Sequence, residues 1–145
     1  MELIVFGASG RTGQHIVDKA LADGHHVTAV LRRAVEQAPG VAVRVVPDLA
    51  DTEAVHAAIA GADAVLSAIG PRSRKDAPVA APATRHLLDA GAGRLVVISA
   101  APVDPPPVDD SFISRRIALP LVGRMLRPVY DDLRDMEEAL AASSS

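Results

Sequence analysis

Leu3-Ile4-Val5-Phe6-Gly7-Ala8-Ser9-Gly10-Arg11-Thr12-Gly13 lies two residues into the chain, and the fold turns on its reading. Four consecutive apolar residues without alternation suit a strand covered on both faces. Gly7 ends that run and begins a G-x-x-G-x-x-G spacing with Gly10 and Gly13. Ile16, Val17, Ala20 and Leu21 then recur at helical intervals, with Gly24 as the stop. A buried strand, a glycine turn and a helix in immediate succession predict a strand-to-helix loop of a parallel α/β domain. Such a turn presents unbonded backbone N–H groups at the positive end of a helix, which suits a pyrophosphate. The first glycine permits the turn, the middle one lets phosphate approach the backbone, and the last lets helix and strand pack closely. Ser9, Arg11 and Thr12 complete the loop's candidate binding residues. Alone the glycines would fit a purely structural turn; the strand before them and the helix after them favour the phosphate reading.

Working outward, β-branched runs alternate with helical patterns. Val27 to Leu31 reads as a second strand and Val41 to Val46 as a third. Asp51 is a plausible N-cap for a helix carrying Val55, Ala58 and Ile59, closed by Gly61. Ala64 to Ala68 is a fourth strand, Pro82 to Ala90 a short helix, and Leu95 to Ser99 a fifth strand. After Ser99 the rhythm breaks: Ala101 to Asp110 holds Pro102, Pro105, Pro106 and Pro107 and reads as a loop. Ile113 to Leu126 is helical but interrupted at Pro120. A better helix runs from about Val129 to Ala142, with Leu133, Met136 and Leu140 as its apolar stripe. The expectation is one domain over residues 1–145.

Composition removes several function classes. With 49% hydrophobic and 23% charged residues the chain is ordinary globular material. It has no cysteine, which removes disulfide scaffolds, thiolate metal sites and cysteine nucleophiles, and suits a reducing cytoplasm. A net charge of −3 argues against a protein that neutralises many phosphates. Phe6, Phe112 and Tyr130 are the only aromatics, too few to stack bases, so nucleic acid is not an expected partner. Neither the acidic N-terminus nor the stretch from Ile117 to Leu126, broken by Pro120 and Arg124, reads as an export or membrane segment. His15, His25, His26, His56 and His86 show no common metal spacing, and no metal is expected. Arg115, Arg116, Arg124 and Arg127 precede a run of acidic residues; solvated helix surface and a greeting for an anionic substrate are both open readings. Asp131 and Asp132 are adjacent, which makes them a poor acid/base dyad on a helix.

The end of the second strand bears on the choice of dinucleotide. A chain that binds NAD usually offers a carboxylate about 20 residues past the glycine loop, for the ribose 2′-hydroxyl. Arg32 and Arg33 stand there instead, with no carboxylate before Glu36. Arg11 approaches the same phosphate from the loop side. These cations predict NADP(H) in preference to NAD(H), by about one to two decades. The alternative is that both arginines merely solvate a strand end.

The chain resembles the atypical short-chain dehydrogenase/reductases that bind NAD(P)H, in particular the biliverdin-IXβ/flavin reductase-like branch. The matching stretches are Phe6 to Gly13, Val27 to Arg33, Val45 to Leu49, Gly61 to Val65, Ser67 to Gly70 and Arg94 to Ala100, with the helix from Val129 to Glu138 closest to the branch. The resemblance implies a Rossmann-like, doubly wound parallel sheet of at least five strands, order 3-2-1-4-5. It further implies that Asp48 and Leu49 meet the adenine while Ala68, Ile69 and Gly70 line the nicotinamide ribose. In the family another strand and a substrate region follow the helix that ends near Ser145, so the domain is expected to lack both.

The chain departs from the family in its proton-transfer residues. Many members use a serine after the fifth strand and a Tyr-x-x-x-Lys pair. Here the strand ends Ser99-Ala100, the family serine corresponding more often to the second position, and Tyr130 is followed four residues later by Arg134. Ser99 and Tyr130 are the catalytic candidates; the competing readings are a polar strand end near the nicotinamide and an ordinary helix-start aromatic. Hydride transfer to a flavin, quinone or similar planar acceptor needs close stacking, and water can supply the proton. The resemblance therefore implies a cytoplasmic NADPH-dependent reductase acting on a small planar substrate. A non-enzymatic NADP(H)-binding redox sensor is the alternative, and a nucleotide-sugar epimerase or dehydratase a weaker one.

Overall fold

The computed structural model describes residues 1–71, 73, 76–99 and 119–143. Its elements follow the order β1 (Glu2–Phe6), α1 (Arg11–Ala22), β2 (His26–Leu31), β3 (Val41–Val45), α2 (Thr52–Ile59), β4 (Ala64–Ser67), α3 (Ala80–Asp89), β5 (Leu95–Val97) and α4 (Leu119–Ser143). The five strands form one sheet in the order β3-β2-β1-β4-β5, and every pairing is parallel. This is the Rossmann-like order that the resemblance implied.

The central strand shows why. Side chains of β1 alternate between two cores, as the period of a strand requires. Leu3 and Val5 face α1, packed with Val17, Ala20, Val27, Ala29 and Leu31. Ile4 and Phe6 face α2 and α3, packed with Val30, Val55, Ile59, Val65 and Leu87. Helices therefore cover both faces of the middle of the sheet. Its margins are barer. β2 runs into β3 without a helix between them, and Val43 and Val45 on β3 are exposed, as are Val96 and Ile98 at the β5 margin.

Three boundaries differ by more than one residue from those read in the sequence. β5 ends at Val97 rather than Ser99, although the Ile98 N–H still donates to the Ser67 carbonyl. α3 begins at Ala80, two residues before Pro82, because its first amides find an acceptor on a distant helix. The two helical patterns expected around Pro120 and Val129 are one helix, α4. Pro120 falls in its first turn, where the missing N–H would have had no helical acceptor anyway. Pro128 is interior and removes one helical bond. Beyond it, Leu133 and Met136 are buried against Ala80 and Ala81 of α3, and this packing keeps the helix in place. The proline-rich loop read over 101–110, residues 113–118 of the expected helix, and with them Arg115 and Arg116, lie outside the described residues.

Candidate dinucleotide site

The loop from Gly7 to Gly10 turns the chain from β1 into α1. Gly7 has φ +75°, and a Cβ on it would lie 2.8 Å from the carbonyl carbon and oxygen of Ala68 at the end of β4. Gly13 is tighter still: a Cβ there would lie 2.1 Å from the Gly7 carbonyl oxygen. The loop can fold this closely against β4 and α1 only because both positions lack side chains. The Gly10 N–H donates to the Gly7 carbonyl at 3.0 Å, and the Gln14 N–H donates to the Gly10 carbonyl at 2.9 Å as the first bond of α1. The N–H groups of Arg11, Thr12 and Gly13 precede that bond and have no acceptor within the helix.

The three helices that follow β1, β3 and β4 treat their N-termini differently. α2 is capped by Asp51, whose carboxylate accepts from the Ala54 N–H at 3.0 Å, and carries Glu53 in its first turn. α3 is capped by the carboxylate of Asp132, which accepts from Val79, Ala80 and Ala81. α1 has no side-chain cap and no acidic residue in its first turn. Of these three helices, α1 alone keeps its positive end free for an outside anion. The glycine cradle and this uncapped end fit the pyrophosphate of a dinucleotide.

A cleft of about 760 Å³ opens beside the loop, at the carboxyl ends of the strands. Such volumes and positions are usual for cofactor sites of open α/β sheets. Gly7, Ser9, Gly10, Arg32, Asp48, Leu49, Ala68, Ile69 and Gly70 all line it. The structure thus gathers residues from four separate stretches of the chain onto one surface. Asp48 is held by its own turn, Oδ1 accepting from the Ala50 N–H at 2.9 Å. Arg32 is exposed just past the end of β2, and Asp48 is exposed three residues past the end of β3. Arg11, Thr12 and Arg33 are exposed outside the lining, and Gly13 is buried beneath the loop.

The opposite wall was not among the sequence candidates. Pro71, Ala77, Pro78 and Val79 follow β4, and Pro82, Ala83 and His86 form one face of α3. Their spacing of one and four residues is a helical stripe, the one signal in the sequence that could have marked them.

Ser99 and Tyr130 lie away from the cleft lining. The Ser99 hydroxyl donates to Oε1 of Glu137 on α4 at 2.5 Å. Tyr130 packs against the cluster of Ala80, Ala81, Leu133 and Met136. Arg134 is 3.7 Å from Asp131, an exposed pair of little energetic weight. Among the described residues no three histidines or carboxylates converge as metal ligands, and no helix is long and apolar enough to cross a membrane.

Comparison with known proteins agrees with this geometry. Over 102 residues the chain is 31% identical to an uncharacterized protein of Mycobacterium tuberculosis, matching 68% of this chain and 12% of that longer one. A candidate exported protein from Burkholderia pseudomallei superposes with a TM-score of 0.70 at 27% identity, over 92% of this chain and 64% of the other. A candidate NADH-flavin reductase from Streptococcus pneumoniae shares the fold, with a TM-score of 0.69 at 22% identity, over 99% of this chain and 67% of that one. The chain thus spans about two-thirds of these solved structures and about an eighth of the curated relative. Residues 7–145 match the model of the NAD(P)H-binding family, from the first glycine of the loop through α4, and the chain belongs to that family.

Proposed function

We propose that the chain is an NADPH-dependent reductase that passes hydride to a flavin, a quinone or a similar planar acceptor. The observation that carries this reading is the open N-terminus of α1 facing a cleft whose lining includes a cation, Arg32, where a binder of NAD would carry a carboxylate. A bound nicotinamide dinucleotide supplies the hydride. The chain's own residues do the rest by binding and orientation. Backbone N–H groups at the start of α1 hold the pyrophosphate, and Arg32, assisted by Arg11, holds the 2′-phosphate. Asp48 and Leu49 meet the adenine. Ala68, Ile69 and Gly70 line the nicotinamide ribose, and the apolar side chains of Pro71, Ala77, Pro78 and Val79 shed water beside a planar ring. Water provides the proton, so no side-chain acid is required. The activity named for the Streptococcus pneumoniae neighbour is of the same class.

Titration with NADPH and NADH, followed by dinucleotide oxidation with a panel of flavins and quinones, tests the proposal. Tighter binding of NADH would overturn the cofactor assignment, and absence of turnover with every acceptor would overturn the reductase.

One observation favours a second reading, a non-enzymatic NADP(H)-binding redox sensor. Ser99 is engaged with Glu137 and Tyr130 with the α3–α4 packing, and neither residue is part of the cleft lining. That reading expects tight dinucleotide binding and a redox-dependent partner with no turnover.

A further inference from the structure

α3 begins without a cap of its own. Its N-cap residue is Val79, and its first turn holds no acidic side chain. The acceptors come instead from α4, more than fifty residues away in sequence. Asp132 Oδ2 accepts from the N–H groups of Val79 and Ala80, and Oδ1 from that of Ala81, each at 2.9 Å. Asp132 is only 3% exposed. Ala80, Ala81 and its chain neighbour Leu133 belong with Met136 to one apolar cluster, and at a buried position hydrogen bonds to a charged acceptor are stronger than in water.

The same turn of α3 is a wall of the cleft. Val79 lines it, with Ala77 and Pro78 immediately before and Pro82 three residues after. In the sheet this wall follows β4, on the opposite side of β1 from Arg32 and Asp48. A dinucleotide whose pyrophosphate sits on the β1–α1 loop and whose adenosine points toward β2 and β3 must lay its nicotinamide half along this wall.

We propose that Asp132 is a positioning residue of the dinucleotide site: its carboxylate fixes the start of α3 and so sets the wall that faces the nicotinamide half. It acts through the backbone of Val79, Ala80 and Ala81 and does not itself reach the cleft. The inference rests on the reading that this cleft binds a nicotinamide dinucleotide. The chemistry requires a carboxylate in particular. Two oxygens serve three donors, whereas an asparagine offers one oxygen and turns its own N–H groups toward a backbone N–H. With one bond lost and one repulsion gained, the turn moves, and the wall moves with it.

The test compares the unaltered protein with Asp132→Asn, using NADPH and NADH and the adenosine diphosphate fragment of each. Leu133→Ala is the control, since it thins the same α3–α4 packing and leaves the carboxylate in place. Asp132→Asn is expected to weaken the preferred dinucleotide roughly tenfold while its fragment changes by less than about twofold. Leu133→Ala is expected to lower the melting temperature and leave the ratio of the two affinities unchanged. Equal loss of dinucleotide and fragment, or no loss of either, would overturn the proposal. Should Asp132→Asn not fold, Asp132→Ser, which keeps one acceptor, is read by the same criterion. Unaltered protein that binds neither dinucleotide overturns the cofactor reading and this inference together. Binding by the unaltered protein with an unchanged Asp132→Asn overturns this inference alone.

Discussion

Gly13 passes so close to Gly7 that a Cβ on it would lie 2.1 Å from the Gly7 carbonyl oxygen and 2.7 Å from the carbonyl carbon. The obstructing atoms are backbone, so no rotamer relieves the clash. Gly13→Ala is expected to destabilise the fold by roughly 2–3 kcal/mol through overpacking, read from denaturant unfolding. Dinucleotide binding falls with it, because the only relaxation available displaces the loop.

Arg32 is the cation of the cleft lining at the end of β2. Arg32→Ser is expected to weaken NADPH by roughly ten- to thirtyfold and to leave NADH within about a factor of two, since only the former offers a phosphate to pair. The loss shrinks as salt rises, because the side chain is exposed. Fluorescence titration of both dinucleotides at two salt concentrations measures this.

Asp51 caps α2 from the surface, its carboxylate accepting the Ala54 N–H at 3.0 Å. Asp51→Ala is expected to cost about 1 kcal/mol, or about 3 °C in melting temperature for a domain of this size. Thermal unfolding followed by circular dichroism gives the shift, with the affinity for dinucleotide unchanged.

Ser99 and Tyr130 supply the sharpest contrast between the proposed reductase and a mechanism with a side-chain acid. Ser99→Ala and Tyr130→Phe keep the packing and remove the hydroxyls. Turnover with a flavin acceptor is expected to stay within about threefold of the unaltered protein, whereas loss of a general acid costs roughly a hundredfold or more. Steady-state rates of both variants decide between them.

The loop side of the cleft was legible in the sequence because its signals are local. Leu3 to Phe6 announce a strand buried on both faces, and Gly7, Gly10 and Gly13 sit where a tight turn and a close helix require them. Asp51 three residues before Ala54 is likewise readable as a cap. Asp132 was not readable. Its partners lie at Val79, Ala80 and Ala81, and nothing in the local pattern around it marks a capping role. For the same reason the start of α3 was placed late, at Pro82. Pro120 misled in the opposite direction: a proline costs a helix a bond without necessarily ending it, and α4 runs continuously past both Pro120 and Pro128.

The bare margin at β3 has a consequence for how the molecule breathes. Four of its five residues are exposed, and among the described strands it pairs only with β2. Val46, Pro47, Asp48 and Leu49 of the cleft hang directly from its end. The proposed adenine end of the site is thus suspended from an edge strand, while the Gly7 end is anchored at the centre of the sheet. Amide exchange in the free protein should therefore begin at Val41–Val45 and spread to Leu49 while β1 remains protected. A bound dinucleotide then acts as the missing clasp, stabilising the edge in proportion to its saturation.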